Sequence, residues 1–467
     1  MSGPITPLAA LNWDVLLHII TFLTRPDVSS LMKTSHESYV LGLRQLFRDP
    51  VELRANNIQS LHTCLRIGTS HPRSHYLRDV TMSCTLSYPP PLPRDSHVSM
   101  EQLLCDILRN ASGLRRLRFD WGAASLSGSF SVVMPTLSSL EEAYLPLVSQ
   151  ELWDAIKGLR APIRKLAAQF GPTNHFPAAD PVSLLEPFQS TLEELHLAVI
   201  QCEDNSIVYP CVRKLSLADC YYGRTRGGID IGPVMRAFPN VVDFSLSAAK
   251  AQPALTHWKE GRSCDHADVI NRCRAANGQW QREHPHEGWT SLASVTVGHV
   301  VDLYMLGLCQ TVHHVEIRAF SEGTLWMFRH VLSDTRPSHL TVSIFAHDHI
   351  LDCLPRLIPA EDLTTSLSHL TLVLQCDAAH IAVERIIANV TDMLARLRVE
   401  RLSLCMRRWD TVGPYRLSPN SLRAIDSALD AVHGQVGAVA SRLLEGVPSL
   451  GELTLTVADR EARWERT

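Results

Sequence analysis

No run of 18 or more apolar residues occurs anywhere in the 467-residue chain, so no segment is expected to span a bilayer as a helix. A dominant charge is also missing. Lys and Arg number 44 against 48 Asp and Glu, giving a formal net charge of −4 and a pI near 6.6. With no long like-charge block either, no nucleic-acid partner is expected. The twelve cysteines form no compact framework and no C-x-x-C pair; Cys84, Cys220, Cys376 and Cys405 sit beside strand-like runs. That usage fits reduced thiols in a cytoplasmic or nuclear protein. A secretory signal is not expected, because Asp14 and His18 interrupt the first apolar cluster and no basic residue precedes it. Motifs of chemistry are absent as well: there is no G-x-x-x-x-G-K-[ST], H-E-x-x-H, G-x-S-x-G or EF-hand loop. The glycine-rich "GRTRGGIDIG" from Gly223 lacks phosphate-loop spacing and reads as a loop between repeats. An enzyme with its own cofactor is therefore not expected.

What the chain does contain is a recurring hexad, in which an apolar residue is followed three and five positions later by two more. It appears as Leu77-Val80-Met82, Leu114-Leu117-Phe119, Leu192-Leu195-Leu197 and Val212-Leu215-Leu217. It returns as "VVDFSL" from Val241, "LASVTV" from Leu292, "VHHVEI" from Val312, "LSHLTL" from Leu367, "VERLSL" from Val399 and "LGELTL" from Leu450. Degenerate copies begin at Leu140, Ile163 and Pro337. Most neighbours are about 20 to 37 residues apart, which overlaps the leucine-rich-repeat period and extends beyond it. The last three residues of each copy alternate in, out, in, as a short strand requires.

Helical stretches lie between the hexads. Ser99 and Gln102 form a capping box ahead of Leu103, Leu104, Ile107 and Leu108, with Gly113 as a stop. Comparable units begin at Ser149, Asp230 and Ser321. Each strand-helix unit leaves an apolar face open until the next unit stacks on it, which predicts an α/β fold built as a curved solenoid with parallel strands. A doubly wound sheet is the alternative, and it explains the hexad repetition less well.

Three further features compete with plainer explanations. A segment at about 248–291 widens the hexad spacing and holds Cys264, Asp265, His266, Cys273, His284 and His286. These are zinc-ligand types at spacings unlike a structural zinc site, so no metal is expected. An inserted amphipathic helix near Val269 and Ile270 explains the segment better, at a position where a flap would sit. Near the C-terminus, Leu422, Ile425, Leu429, Val432, Val436, Val439, Leu443 and Leu444 keep helical register over one long stretch, which predicts a core-facing or end-capping helix rather than a partner helix. Basic and imidazole side chains at outward strand positions, Arg116, Arg118, Lys165, His196, Lys214 and Arg318, are candidates to face a substrate. Glu194, Asp243 and Glu316 on the same strands make a solvated mixed face the competing reading.

Ahead of the repeats stands "LNWDVLLHIITFLTRPDVSSLMKTSHESYVLGLRQL", from Leu11 to Leu46. Leu11, Val15, Ile19 and Phe22 fall on one line of a helix, with Leu16, Ile20 and Leu23 beside them. A helix of under four turns needs a packing surface. The order of parts, an apolar helix, the "RPDVSSLMKTS" turn and second helix, then a third helix through Tyr39, Leu43 and Leu46, resembles an F-box. It is most similar to those heading fungal F-box proteins with leucine-rich repeats. Asn12 stands where most F-boxes carry proline.

The resemblance implies a helical F-box over 1–50, a connecting segment over 51–75 and a divergent leucine-rich-repeat-like solenoid over 76–467. It implies docking on a Skp-type adaptor, and through it on a cullin–RING ubiquitin ligase, by Leu11, Val15, Leu16, Ile19, Ile20, Leu23, Val28, Leu31 and Met32. The chain would then be a non-enzymatic substrate receptor recruiting a protein for ubiquitination and degradation. The alternative is a repeat scaffold outside any ligase, with the F-box-like helices as an N-terminal cap. Because these helices can fold back only partly on themselves, some of Leu11, Leu16, Ile20, Leu23 and Met32 are expected to be exposed in the free chain, as a patch that would mark a binding site.

Overall fold

Every hexad ends in a strand, because its alternating apolar residues have only one buried side to share. A computed structural model describes residues 13–54, 56–66, 73–83, 100–119, 128–148, 150–170, 181–198, 206–218, 230–247, 265–319, 322–345, 351–358, 367–376, 383–408 and 418–466. The chain is α/β and divides into two units, one holding 1–177 and 183–195 and the other 178–182 and 196–467. No described helix is long and apolar enough to cross a membrane.

The first unit begins with three helices, α1 (Trp13–Phe22), α2 (Arg25–Leu31) and α3 (His36–Leu46). Strands β1 (Val51–Leu53), β2 (Asp79–Met82), β3 (Arg116–Phe119), β4 (Glu142–Val148) and β5 (Lys165–Phe170) follow as a parallel sheet in chain order. Helices α4 (Ile58–Arg66), α5 (Met100–Asn110), α6 (Gly128–Val133) and α7 (Gln150–Gly158) alternate with those strands and pack on one another in the same order. The short helix α8 (Pro181–Leu184) and strand β6 (Glu194–Ala198) fall at the division.

In the second unit the strands are β7 (Lys214–Ala218), β8 (Asp243–Ser247), β9 (Ser294–Val297), β10 (His314–Ile317), β11 (His339–Phe345), β12 (His369–Cys376), β13 (Arg401–Arg408) and β14 (Glu452–Val457). Each pairs in parallel with the next. The intervening helices are α9 (Ile231–Ala237), α10 (Asp265–Glu283), α11 (Val300–Leu306), α12 (Leu325–Thr335), α13 (Leu354–Leu357), α14 (Val383–Leu394), α15 (Pro419–His433) and α16 (Val436–Gly446).

The repeat leaves a backbone signature. Two successive N–H groups donate to the carbonyl at the second hexad position of the preceding copy. Arg115 and Arg116 donate to Arg78 at 2.8 and 3.0 Å, and Gly451 and Glu452 donate to Glu400 at the same distances. Inward hexad residues such as Leu77, Leu195, Leu215, Val315, Leu370 and Leu453 are all buried. Each such side chain contributes roughly 1.5–3 kcal/mol relative to exposure.

The long segment before β9 is built into the helix row. Helix α10 packs between α9 and α11. Asn277 accepts from the Ile231 amide at 3.2 Å and donates to the Met305 carbonyl at 2.8 Å, so one buried amide ties both neighbours. Gly232 gives α10 its approach, since a β-carbon there would sit 2.9 Å from the Trp280 ring. The described part of the insertion therefore fills a place in the layer, where a flap would have stood clear. The C-terminal stretch is two helices, because the chain turns at Gly434 and Gln435. Ile425, Leu429, Val432, Val436, Val439 and Leu443 are buried, and Leu422 and Leu444 are half-buried. After β14 a tight turn with Ala458 and Asp459 at φ of 47° and 66° returns the chain as the antiparallel strand β15 (Arg460–Glu465). Its charged residues blunt an edge that would otherwise expose unpaired backbone groups.

Helix α11 starts on a histidine cap. His299 Nδ1 accepts from the Val301 amide at 3.2 Å, and Asp302 accepts from the His299 amide at the same distance. Burial lowers the His299 pKa from 6.5 to about 4, and a protonated Nδ1 could no longer accept. Between those values the unfolded chain binds a proton that the folded protein refuses. Stability is therefore expected to fall on acidification from pH 6.5 toward 4, at up to about 1.4 kcal/mol per pH unit from this group. Urea titrations at several pH values check this, and His299→Asn, which keeps a capping side chain, should flatten the dependence.

Candidate protein-interaction surfaces

The helices of 13–46 pack through α3, which touches both α1 and α2. Gly42 allows the closest approach: a β-carbon there would lie 2.1 Å from Met32 Cγ and 3.3 Å from Val28 Cγ1. Ser35 caps α3 by accepting from the Ser38 amide at 3.0 Å. Arg25 donates to the carbonyls of Asp49 and Pro50, tying α2 to the end of the segment.

Two apolar lines run along α1, and they have different fates. Val15, Ile19 and Phe22 are 48%, 43% and 75% exposed, spaced i, i+4, i+7 on one stripe. Phe22 makes an edge contact with His18 of its own helix. On the other line Ile20 is 2% exposed, while Leu16 and Leu23 are half-buried. Val28 is 1% exposed, and Leu31 and Met32 are half-buried. Leu11 lies outside the described residues. Of the expected docking residues, Val15 and Ile19 therefore offer open surface, whereas Ile20 and Val28 hold the helices together. Of Leu16, Ile20, Leu23 and Met32, some of which are expected to be exposed, Ile20 is buried and the other three are half-buried, with α3 packed on both α1 and α2. Leu17 and Val40, not singled out from sequence, are also exposed.

The outward strand face forms a second surface. In the first unit Asp79, Arg116, Glu142 and Lys165 stand opposite one another across β2 to β5, so charge alternates along the row. Arg116 pairs with Asp79 at 2.8 Å. Burial is the main influence on Asp79 and raises its pKa, with Arg116 opposing. Lys165 lies 3.7 Å from Glu142 and 3.6 Å from Glu194, which in that order raise its pKa. The Arg118 guanidinium sits over the Tyr144 ring at 4.4 Å. These candidate substrate-facing cations are thus already engaged by their own sheet. In the second unit His196 is half-buried, Lys214 is exposed opposite Asp243, and Arg318 pairs with Glu316 at 3.0 Å.

The same row in the second unit carries residues the sequence reading passed over. His314, His339 and His369 are partners in register on three adjacent strands. The rings of His339 and His369 stack at 4.0 Å, and His314 meets His339 edge-on at 5.6 Å. His313 adds a fourth ring 5.8 Å from His339. Burial lowers the His339 pKa to about 4, helped by His369, His314, His313 and Arg401. Burial and then Arg401 lower His369, with Glu452 and Glu400 opposing. The signal was present in the sequence, as histidine at the third position of three consecutive hexads.

The Cys/His segment gathers no such cluster. Cys264 and the side chains of Asp265 and His266 lie outside the described residues. Asn277 donates to the Cys273 thiol, His284 stacks on Trp280 at 4.9 Å, and His286 is exposed. Among the described residues no three His, Cys, Asp or Glu side chains are placed to hold a metal ion. Of "GRTRGGIDIG", 223–229 lie outside the described residues, and Asp230 caps α9 by accepting from the Gly232 amide at 3.1 Å. No protein-family model and no curated protein matches the chain.

Proposed function

We propose that the chain is the substrate-recognition subunit of an SCF-type cullin–RING ubiquitin ligase, acting in the cytoplasm or nucleus. The observation that carries this reading is the open Val15-Ile19-Phe22 line on a helix whose other apolar line is packed. Apolar side chains aligned and left open on one side of a folded helix suit a partner's groove. On this proposal α1 to α3 are an F-box that holds a Skp-type adaptor. The in-register parallel strands and their row of helices favour a curved leucine-rich-repeat-like solenoid that presents the target. Bond chemistry then belongs to other subunits, and this chain contributes proximity and orientation without catalytic groups or a cofactor. Size-exclusion chromatography of the purified chain mixed with a Skp-type adaptor tests the proposal. A stable one-to-one complex that captures the cullin is expected, and separate elution would sink it.

One contact favours the second reading, a repeat scaffold whose first helices are a cap. Arg73, in the turn before β2, lies over the Tyr39 ring of α3 at 5.2 Å, so the helices are joined to the repeats behind them. Both roles can share one segment, since the contact uses α3 and leaves the open line of α1 untouched.

A further inference from the structure

An open cleft of about 440 Å³ lies where the chain enters β9, β10 and β11. Thr290, Ser291, Thr311, His313, Arg336 and Ser338 supply its polar lining, and the remaining lining residues are apolar, with no carboxylate among them. We propose that this cleft binds the tetrahedral oxyanion of a phosphate monoester. The inference is independent of adaptor binding and would stand if the F-box reading failed.

Two observations support it. First, Arg336 ends helix α12 in the left-handed region at φ 42°, a conformation that glycine adopts without strain and arginine does not. Its guanidinium reaches back only to the last turn of its own helix. Its sole hydrogen bond among the described residues is a long one of 3.4 Å from Nε to the Ser333 carbonyl, and no carboxylate pairs with it there. Second, the Ser338 hydroxyl and His313 Nδ1 are 2.6 Å apart, which fixes the imidazole and leaves Nε2 as its other polar atom.

Polar side chains from three chain segments line the space, each from the entry to its own strand. A tetrahedral dianion presents oxygens in several directions, whereas a planar carboxylate presents two. The open mouth leaves room for whatever the monoester is attached to, a side chain or a small molecule.

Titration calorimetry of the full chain with inorganic phosphate at pH 6.5 tests the assignment, with Arg336→Gly and His313→Gln as variants. Arg336→Gly suits the backbone, so its melting temperature should be kept or raised. Saturable one-to-one binding is expected, weakened at least tenfold in both variants, with acetate at least tenfold weaker than phosphate. A phosphoserine peptide of otherwise neutral sequence and a sugar phosphate then distinguish the sources: equal affinities mean the group alone is read, and tighter peptide binding means a protein ligand. Absence of saturable phosphate binding, unchanged affinity in Arg336→Gly, or equal affinity for acetate would overturn the proposal.

Discussion

Replacing Ile19 and Phe22 together with alanine should abolish capture of a Skp-type adaptor while leaving the melting temperature of the chain almost unchanged. Both side chains are large, apolar and open, so the free protein loses little when they are truncated. Each would contribute roughly 1.5–3 kcal/mol when a partner covers it, and losing both should weaken binding by about two to four orders of magnitude. The contrasting pair is Ile20→Ala with Val28→Ala. These residues are buried, and removing each should cost about 2–5 kcal/mol of local stability. Adaptor capture would then fail because α1 to α3 loosen, and melting would report it. Pull-down and thermal melting on both pairs separate the two kinds of loss. If the Ile19 and Phe22 pair lowers the melting temperature and adaptor capture matches that of an unrelated repeat protein, the helices are a cap and the receptor proposal falls.

That contrast also shows where sequence ran out. On α1 the two apolar lines look alike as letters, Val15-Ile19-Phe22 beside Leu16-Ile20-Leu23. Which one is packed depends on how α3 lies against α1, and no periodicity encodes that. In the repeats the outcome is the opposite. The hexad spacing marks every strand from β2 to β14, because a period-two pattern anchored by a third apolar residue has one way to bury itself. It misses β1, which has three residues, and β15, whose "REARWE" contains no buried residue. The helical register through 422–444 continues across a break at Gly434, since residues on either side still face inward. As for the candidate interaction face, the residue types were legible and their pairing was not. Arg116 and Lys165 read as available cations until strand register sets Asp79, Glu142 and Glu194 beside them. Histidine recurs at one hexad position, yet its effect arises only when parallel register brings the rings within stacking distance.

The second large effect is expected at Trp289, which follows α10 and precedes β9. Its indole is fully buried against Phe244, with ring centroids 4.6 Å apart, and Nε1 donates to the Phe238 carbonyl at 2.7 Å. Phe238 closes α9 and stacks on Tyr209 at 5.2 Å, so a single side chain pins α9, β8 and the entry to β9 together. Trp289→Ala should cost about 3–5 kcal/mol from lost burial and the cavity left behind. Leaving the Phe238 carbonyl without its donor should add about 1–3 kcal/mol. Such a loss is a large share of the 5–15 kcal/mol that ordinarily separates folded from unfolded domains. Trp326→Ala is the control, because that ring is partly exposed on α12 and should change stability far less. Urea unfolding followed by far-UV circular dichroism should show Trp289→Ala shifting to a much lower midpoint with Trp326→Ala near the parent. Because β8 pairs with β7 and β9 in the sheet, hydrogen exchange in Trp289→Ala should speed up first in α9, β8 and β9 and spread outward along the sheet. Equal midpoints for the two variants would mean that the segment before β9 is dispensable to the core and that α10 is an appendage after all.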